Sequence, residues 1–123
     1  MKTEDTMKKE LQLVTLYQAK KLKELGFDWI VRRYYEKNIL GNFTIVSTDS
    51  KNYNSSFDEC FSAPTVALAI KWFRNVKNTD GEVRRHAIGW FSGVNGSYEG
   101  EFWKTYEEAE SDLLDKLIEC CNS

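Results

Sequence analysis

Proline and histidine each occur once in this chain, and no run of apolar residues approaches the length of a membrane span. A helical crossing takes about 20 consecutive apolar residues, so no transmembrane segment is expected, and the polar N-terminus does not read as a signal peptide. Cysteine is scarce and odd in number, at Cys60, Cys120 and Cys121. Two adjacent thiols and one distant one cannot build the paired framework of a small secreted domain, which points to a reducing cytoplasm. A metal centre would need two spaced cysteine pairs or additional histidines, and His86 stands far from either. No metal and no cofactor is therefore expected. The Asn-x-Ser/Thr triplets starting at Asn42, Asn54 and Asn95 are chance matches in turn-rich segments if no secretory signal precedes them.

What the chain does contain is an ordinary globular balance: 123 residues, 41% apolar, 29% charged and 14% aromatic. That excludes a disordered tail or a collagen-like repeat and suits one domain over residues 1–123. A chain of this size buries roughly two thirds of its unfolded surface, enough for one real core. The net charge of −2 conceals an uneven distribution. From Thr105 onward six acidic side chains face Lys116 alone, a local charge of −5, which leaves +3 on residues 1–104. The simplest explanation is a solvated acidic helix face; the functional one is a surface that engages a basic partner or imitates nucleic-acid phosphate.

Residues 1–13 are polar and uneven and read as a frayed lead-in. Thr15 and Gln18 then form a capping box, with Val14 and Ala19 placed as a hydrophobic staple. Leu16, Ala19, Leu22 and Leu25 follow helical spacing up to Gly26, with Phe27 set to fold back on Leu22. The period changes at Trp29: segments 29–35 and 43–48 are rich in aromatic and β-branched residues and predict a hairpin. Residues 49–61 read as a long polar loop, mobile or functional. A second helix is expected to begin near Ser62-Ala63-Pro64, with proline in its first turn, and to run to about Lys77, with Val66, Ala69, Ile70, Phe73 and Val76 on one face and Trp72 beside it. Segments 83–91 and 97–103 predict a second hairpin, turned through Asn95-Gly96. Thr105 and Glu108 open a last helix whose stripe is Ala109, Leu113, Leu114, Leu117, Ile118 and Cys121. The order α-β-β-α-β-β-α implies an α+β fold: an antiparallel sheet of about four strands with helices mainly on one face. Thr15/Ala19, Thr65/Ala69 and Thr105/Ala109 share a spacing that either capping or a duplicated unit would produce.

Catalytic patterns are missing. There is no Gly-x-Ser-x-Gly elbow, no His-Glu-x-x-His, and the glycines from Gly89 to Gly100 lack the Lys-Ser/Thr of a phosphate loop. Those glycines read as turns and close packing. Glu107, Glu108 and Glu110 are expected on an exposed first turn, where the helix dipole favours them. No enzyme is expected. The aromatic and cationic residues are more suggestive. Because side chains alternate across a strand, the doublets Arg32-Arg33 and Arg84-Arg85 each send one arginine to either face of the sheet, so an open face would show arginine with Tyr35, as in single-strand binders. Carboxylates at Glu99 and Glu101 on that face would oppose phosphate.

The stretch from Gly100 to Ala109 resembles the strand-to-helix passage of DNA-binding modules of the AP2 kind, and no nucleic-acid-binding residues are carried over from it. More broadly, segments 22–29, 62–72 and 104–118 are similar to uncharacterised small proteins of bacteriophages and mobile elements. That resemblance implies an accessory gene, a setting in which small non-enzymatic inhibitors of host defence, anti-CRISPR proteins among them, are common. The expectation is a cytoplasmic protein that occupies a surface on a larger host or defence protein, a nuclease for instance, without a membrane. Tyr53 and Phe57 in the long loop, Trp72 off its helix stripe, and the acidic Glu107 and Glu108 are the residues expected to meet it. Nucleic-acid binding through Arg32, Arg33, Tyr35, Arg84 and Arg85 is the first alternative, and a small enzyme with no recognisable motif is the second.

Overall fold

Three threonines, each four residues ahead of a fully buried alanine, start the three long helices. In the computed structural model, which describes residues 12–56, 59–98, 100 and 102–122, these are α1 (Leu16–Glu24), α3 (Val66–Val76) and α4 (Tyr106–Asn122). Thr15 Oγ1 accepts the Gln18 amide at 3.1 Å, and Gln18 Oε1 accepts the Thr15 amide at 2.9 Å. Thr105 and Glu108 make the same reciprocal pair, and Thr65 Oγ1 accepts the Leu68 amide at 3.1 Å. Ala19, Ala69 and Ala109 are buried. Capping therefore accounts for the repeated spacing. At the end of α1 the Gly26 amide reaches Lys23 O and the Phe27 amide reaches Leu22 O, with Gly26 at φ +95°. Only glycine takes that left-handed corner without strain.

The first hairpin joins β1 (Val31–Lys37) to β2 (Phe43–Lys51), with Tyr35 opposite Ile45 and Lys37 opposite Phe43. The expected loop 49–61 is largely structured. β2 runs on to Lys51, a helical turn α2 (Tyr53–Ser56) follows, and β3 (Cys60–Ser62) pairs with the free edge of β1. The sheet order is β2-β1-β3. Asn54 explains much of this: its side chain donates to Phe27 O at 2.9 Å and accepts the Ser62 amide at 2.8 Å. Polar residues here satisfy backbone rather than water.

The second hairpin is shifted from expectation. β4 (Gly81–His86) turns through Ala87 and Ile88 into β5 (Gly89–Val94). Asn95-Gly96 does form a turn, with both residues at positive φ and Val94 bridged to Ser97. It returns the chain past β5, where Trp103 exchanges two 2.8 Å hydrogen bonds with Trp90. Among the described residues the expected strand 97–103 consists of isolated bridges. In place of one sheet of about four strands there are two antiparallel sheets, of three and two strands.

The two faces of the larger sheet are covered by different segments. Tyr35 turns toward α1, its hydroxyl donating to Val14 O at 2.7 Å, while Tyr34 on the opposite face is covered by Tyr53. Part of the lead-in is also tied down rather than frayed. Val66 N donates to Gln12 O, Val14 N donates to Pro64 O, and Val14 is buried. Residues 1–11 lie outside the described part. The core gathers Leu22, Phe27, Val66, Trp72 and Phe73 against Leu113, Leu114, Leu117 and Ile118 of α4, which also packs on β4 and β5. No helix among the described residues is long and apolar enough to cross a membrane.

Candidate functional site

Two of the residues expected to meet a partner belong to the core. Tyr53 is 2% exposed and Trp72 1% exposed. Trp72 packs edge-on against Phe27 and Phe73, with centroids 5.4 and 5.1 Å away, because α3 is enclosed on more than one side and its apolar stripe is wider than the spacing suggests. Val76, expected on that stripe, is half exposed instead. Phe57 lies outside the described residues. Neither Tyr53 nor Trp72 is available to a partner.

Glu107 and Glu108 are exposed in the first turn of α4. They border a cleft of about 320 Å³ that Asp112, Asp115 and Trp103 also line. The sequence places these acids one turn apart on one helix face, and the bridge to Trp90 brings the indole of Trp103 alongside. Each carboxylate is held differently. Glu108 closes the cap box through the Thr105 amide. Asp112 accepts the Ser92 hydroxyl at 2.7 Å and lies 3.5 Å from Lys116 Nζ. Asp115 accepts Gln18 Nε2 at 2.9 Å; its pKa is raised, first by desolvation and then by Asp112 and Glu119, against the lowering effect of Gln18. Gln12 Oε1 and Trp103 Nε1 are buried atoms without a hydrogen-bond partner in the structure. The cleft thus presents the exposed carboxylates of Glu107 and Glu108, with Asp112 and Asp115 held by neighbours beside them and an indole, a lining suited to a lysine or arginine side chain.

Glu110 departs from its expected place on the exposed turn. It is 8% exposed, beside the buried stripe of α4, and its carboxylate accepts the Tyr106 hydroxyl at 3.2 Å. Burial raises its pKa, Tyr106 opposes the shift, and Glu107 adds to it. Glu110 lines a separate cavity of about 340 Å³ between α3 and β4, with Arg74 and Val83.

The arginine doublets do not share a face. Arg32 and Arg33 are exposed on β1, at a bulge that interrupts the register after Val31. Arg84 and Arg85 belong to the other sheet. Each doublet residue there takes its own side: Arg84 stands 5.1 Å from the Tyr98 ring and 3.4 Å from Glu82, and Arg85 stands 5.3 Å from Trp90. Tyr35 is engaged through Val14. A continuous basic sheet is not formed.

No family model, curated protein or solved structure matches this chain.

Sequence reasoning passed over the face of β4–β5 turned away from α4. Phe91 lies between His86 and Phe102, with centroids at 5.1 and 5.5 Å. Tyr98 lies flat over Gly93, where an added Cβ would come within 2.6 Å of the ring. The signal was Gly89 and Gly93, two residues to either side of Phe91: alternation sets all three on one face, with the glycines leaving room for rings. Among the described residues no group of three or more His, Cys, Asp or Glu is arranged to hold a metal ion.

Proposed function

We propose that this chain is a non-enzymatic protein-binding protein that acts by occupying a surface on a larger partner. The acidic cleft on α4 carries the reading. Glu107 and Glu108 stand exposed at its rim, Asp112 and Asp115 are anchored by Ser92 and Gln18, and Trp103 supplies an aromatic wall. Pre-positioned carboxylates select a basic segment, and their field speeds encounter more than it tightens the complex. Surfaces that hold DNA are basic for the opposite reason, to neutralise phosphate. A bacterial defence nuclease is the partner class that joins this chemistry to the phage-like resemblance of the sequence.

The test is capture from a bacterial lysate by the tagged chain, with and without nuclease treatment. A partner retained after nuclease treatment, and weakened on Glu107→Gln/Glu108→Gln, which keeps the capping box, supports the reading. Capture that depends on nucleic acid, or that ignores the loss of both charges, overturns it.

A second reading, nucleic-acid binding, is favoured by Arg84, Tyr98, Phe91 and Phe102 on the outer face of β4–β5, where rings and a guanidinium could stack bases. The pairing of Arg84 with Glu82 weighs against it.

A further inference from the structure

The tip of the first hairpin presents two aliphatic side chains to water. Ile39 is 100% exposed and Leu40 81% exposed, the largest apolar exposures among the described residues. The loop that carries them is firmly built. Asn38 Oδ1 accepts the Leu40 amide at 2.9 Å and the Asn42 amide at 3.0 Å, and Asn38 N donates to Asn42 O at 2.7 Å. Gly41 completes the turn at φ +90°. None of these hydrogen bonds uses an apolar side chain at position 39 or 40; polar residues would make the same turn.

Behind the tip lies a basic collar. Lys37 Nζ is 5.8 Å from the Phe43 ring, and Lys20 Nζ is 4.9 Å from that ring and 5.8 Å from Phe61. Lys37 and Phe43 are the paired residues at the root of the loop, so these ammonium groups sit at its base with the aliphatics ahead of them. Ile45, half exposed, continues the apolar side. Six of the nineteen acidic residues lie on α4, which packs against β4, β5, α3 and α1, while Glu36 is exposed next to Lys37 on β1.

We propose that this tip docks on an anionic lipid bilayer, with Ile39 and Leu40 entering the acyl boundary and Lys20 and Lys37 resting among the headgroup phosphates. The layering fits: an apolar phase lies a few ångströms beneath an anionic one. The residue types separate a bilayer from a protein pocket. Protein hot spots favour Trp, Tyr and Arg, and protein interfaces are poor in lysine, whereas two aliphatics above a lysine collar match lipid. The docking goes beyond the proposed function and does not rest on it, since the cleft on α4 takes no part.

The full chain is mixed with vesicles of phosphatidylcholine containing phosphatidylglycerol, and with vesicles of phosphatidylcholine alone, and bound protein is sedimented at low and high salt. Weak binding to the mixed vesicles is expected, reduced by salt. Ile39→Ser/Leu40→Ser lowers it by more than about ten-fold, and Leu40→Ser alone gives an intermediate loss. Lys20→Gln and Lys37→Gln each lower it roughly five-fold. Excess glycerol phosphate leaves it in place. No binding to the mixed vesicles, equal binding to both vesicle types, indifference to the tip substitutions, or displacement by glycerol phosphate overturns the proposal.

Discussion

The ring of Tyr53 lies on the ring of Tyr34, with centroids 4.1 Å apart and planes inclined by 23°. The Tyr53 hydroxyl donates to Asp49 O within the same connection. This one stack covers a face of β1 and fixes the turn that leads into β3.

Tyr53→Ala should therefore behave as a core truncation and cost about 3–5 kcal/mol, a large share of the ~5–15 kcal/mol that holds a domain together. A thermal or denaturant melt measures it. A melting point close to wild type would show that the stack is dispensable.

On α4, Leu117 is fully buried in the core cluster. Leu117→Ala is expected to cost about 2–5 kcal/mol, at the upper end if the rigid rings nearby cannot close the cavity. Chemical denaturation with an unchanged slope is the measurement.

Glu110 gives a pH dependence with a definite sign. Burial raises its folded pKa above the ordinary value of 4.5. The folded state then holds the proton more tightly than the unfolded state. Its contribution is fully present below the unfolded pKa and is lost as pH rises through the folded pKa. Asp115 acts in the same direction. Stability should fall from this source as pH rises from about 4.5 toward neutral, and Glu110→Gln should flatten that slope and raise the neutral-pH melting point. A Glu110→Gln profile parallel to wild type would refute the assignment.

For the nucleic-acid reading, Arg84→Ala, which removes the guanidinium from the outer face of β4–β5, should weaken binding to single-stranded DNA or RNA. Its salt dependence should flatten too, by a slope of about 0.7 for each phosphate that is no longer neutralised. Fluorescence anisotropy at low salt is the readout. If the wild type does not bind there, that reading is closed.

The three capped helices, the Gly26 stop, the first hairpin and the Asn95-Gly96 turn were legible because each depends on neighbours within a few residues. A threonine followed three residues later by glutamine or glutamate carries its own hydrogen-bonding instruction. The acidic rim at Glu107 and Glu108 was legible for the same reason, since helical spacing places them wherever the helix goes.

β3 was not legible, because a three-residue strand in a polar stretch exists only through its pairing with β1 and through Asn54, whose partners lie 27 and 8 residues away. The division into two sheets depends on that pairing and on the early turn at Ala87-Ile88. Tyr53, Trp72 and Glu110 each carry a side chain that sequence alone allows either inside or outside. Sequence determined the local elements and where charge concentrates along the chain, because capping, turn chemistry and periodicity act over a few residues. Tertiary structure alone decided which rings became core, which carboxylates gathered at the cleft with Trp103, and which aliphatics were left at the hairpin tip, because burial is set by what packs from distant parts of the chain.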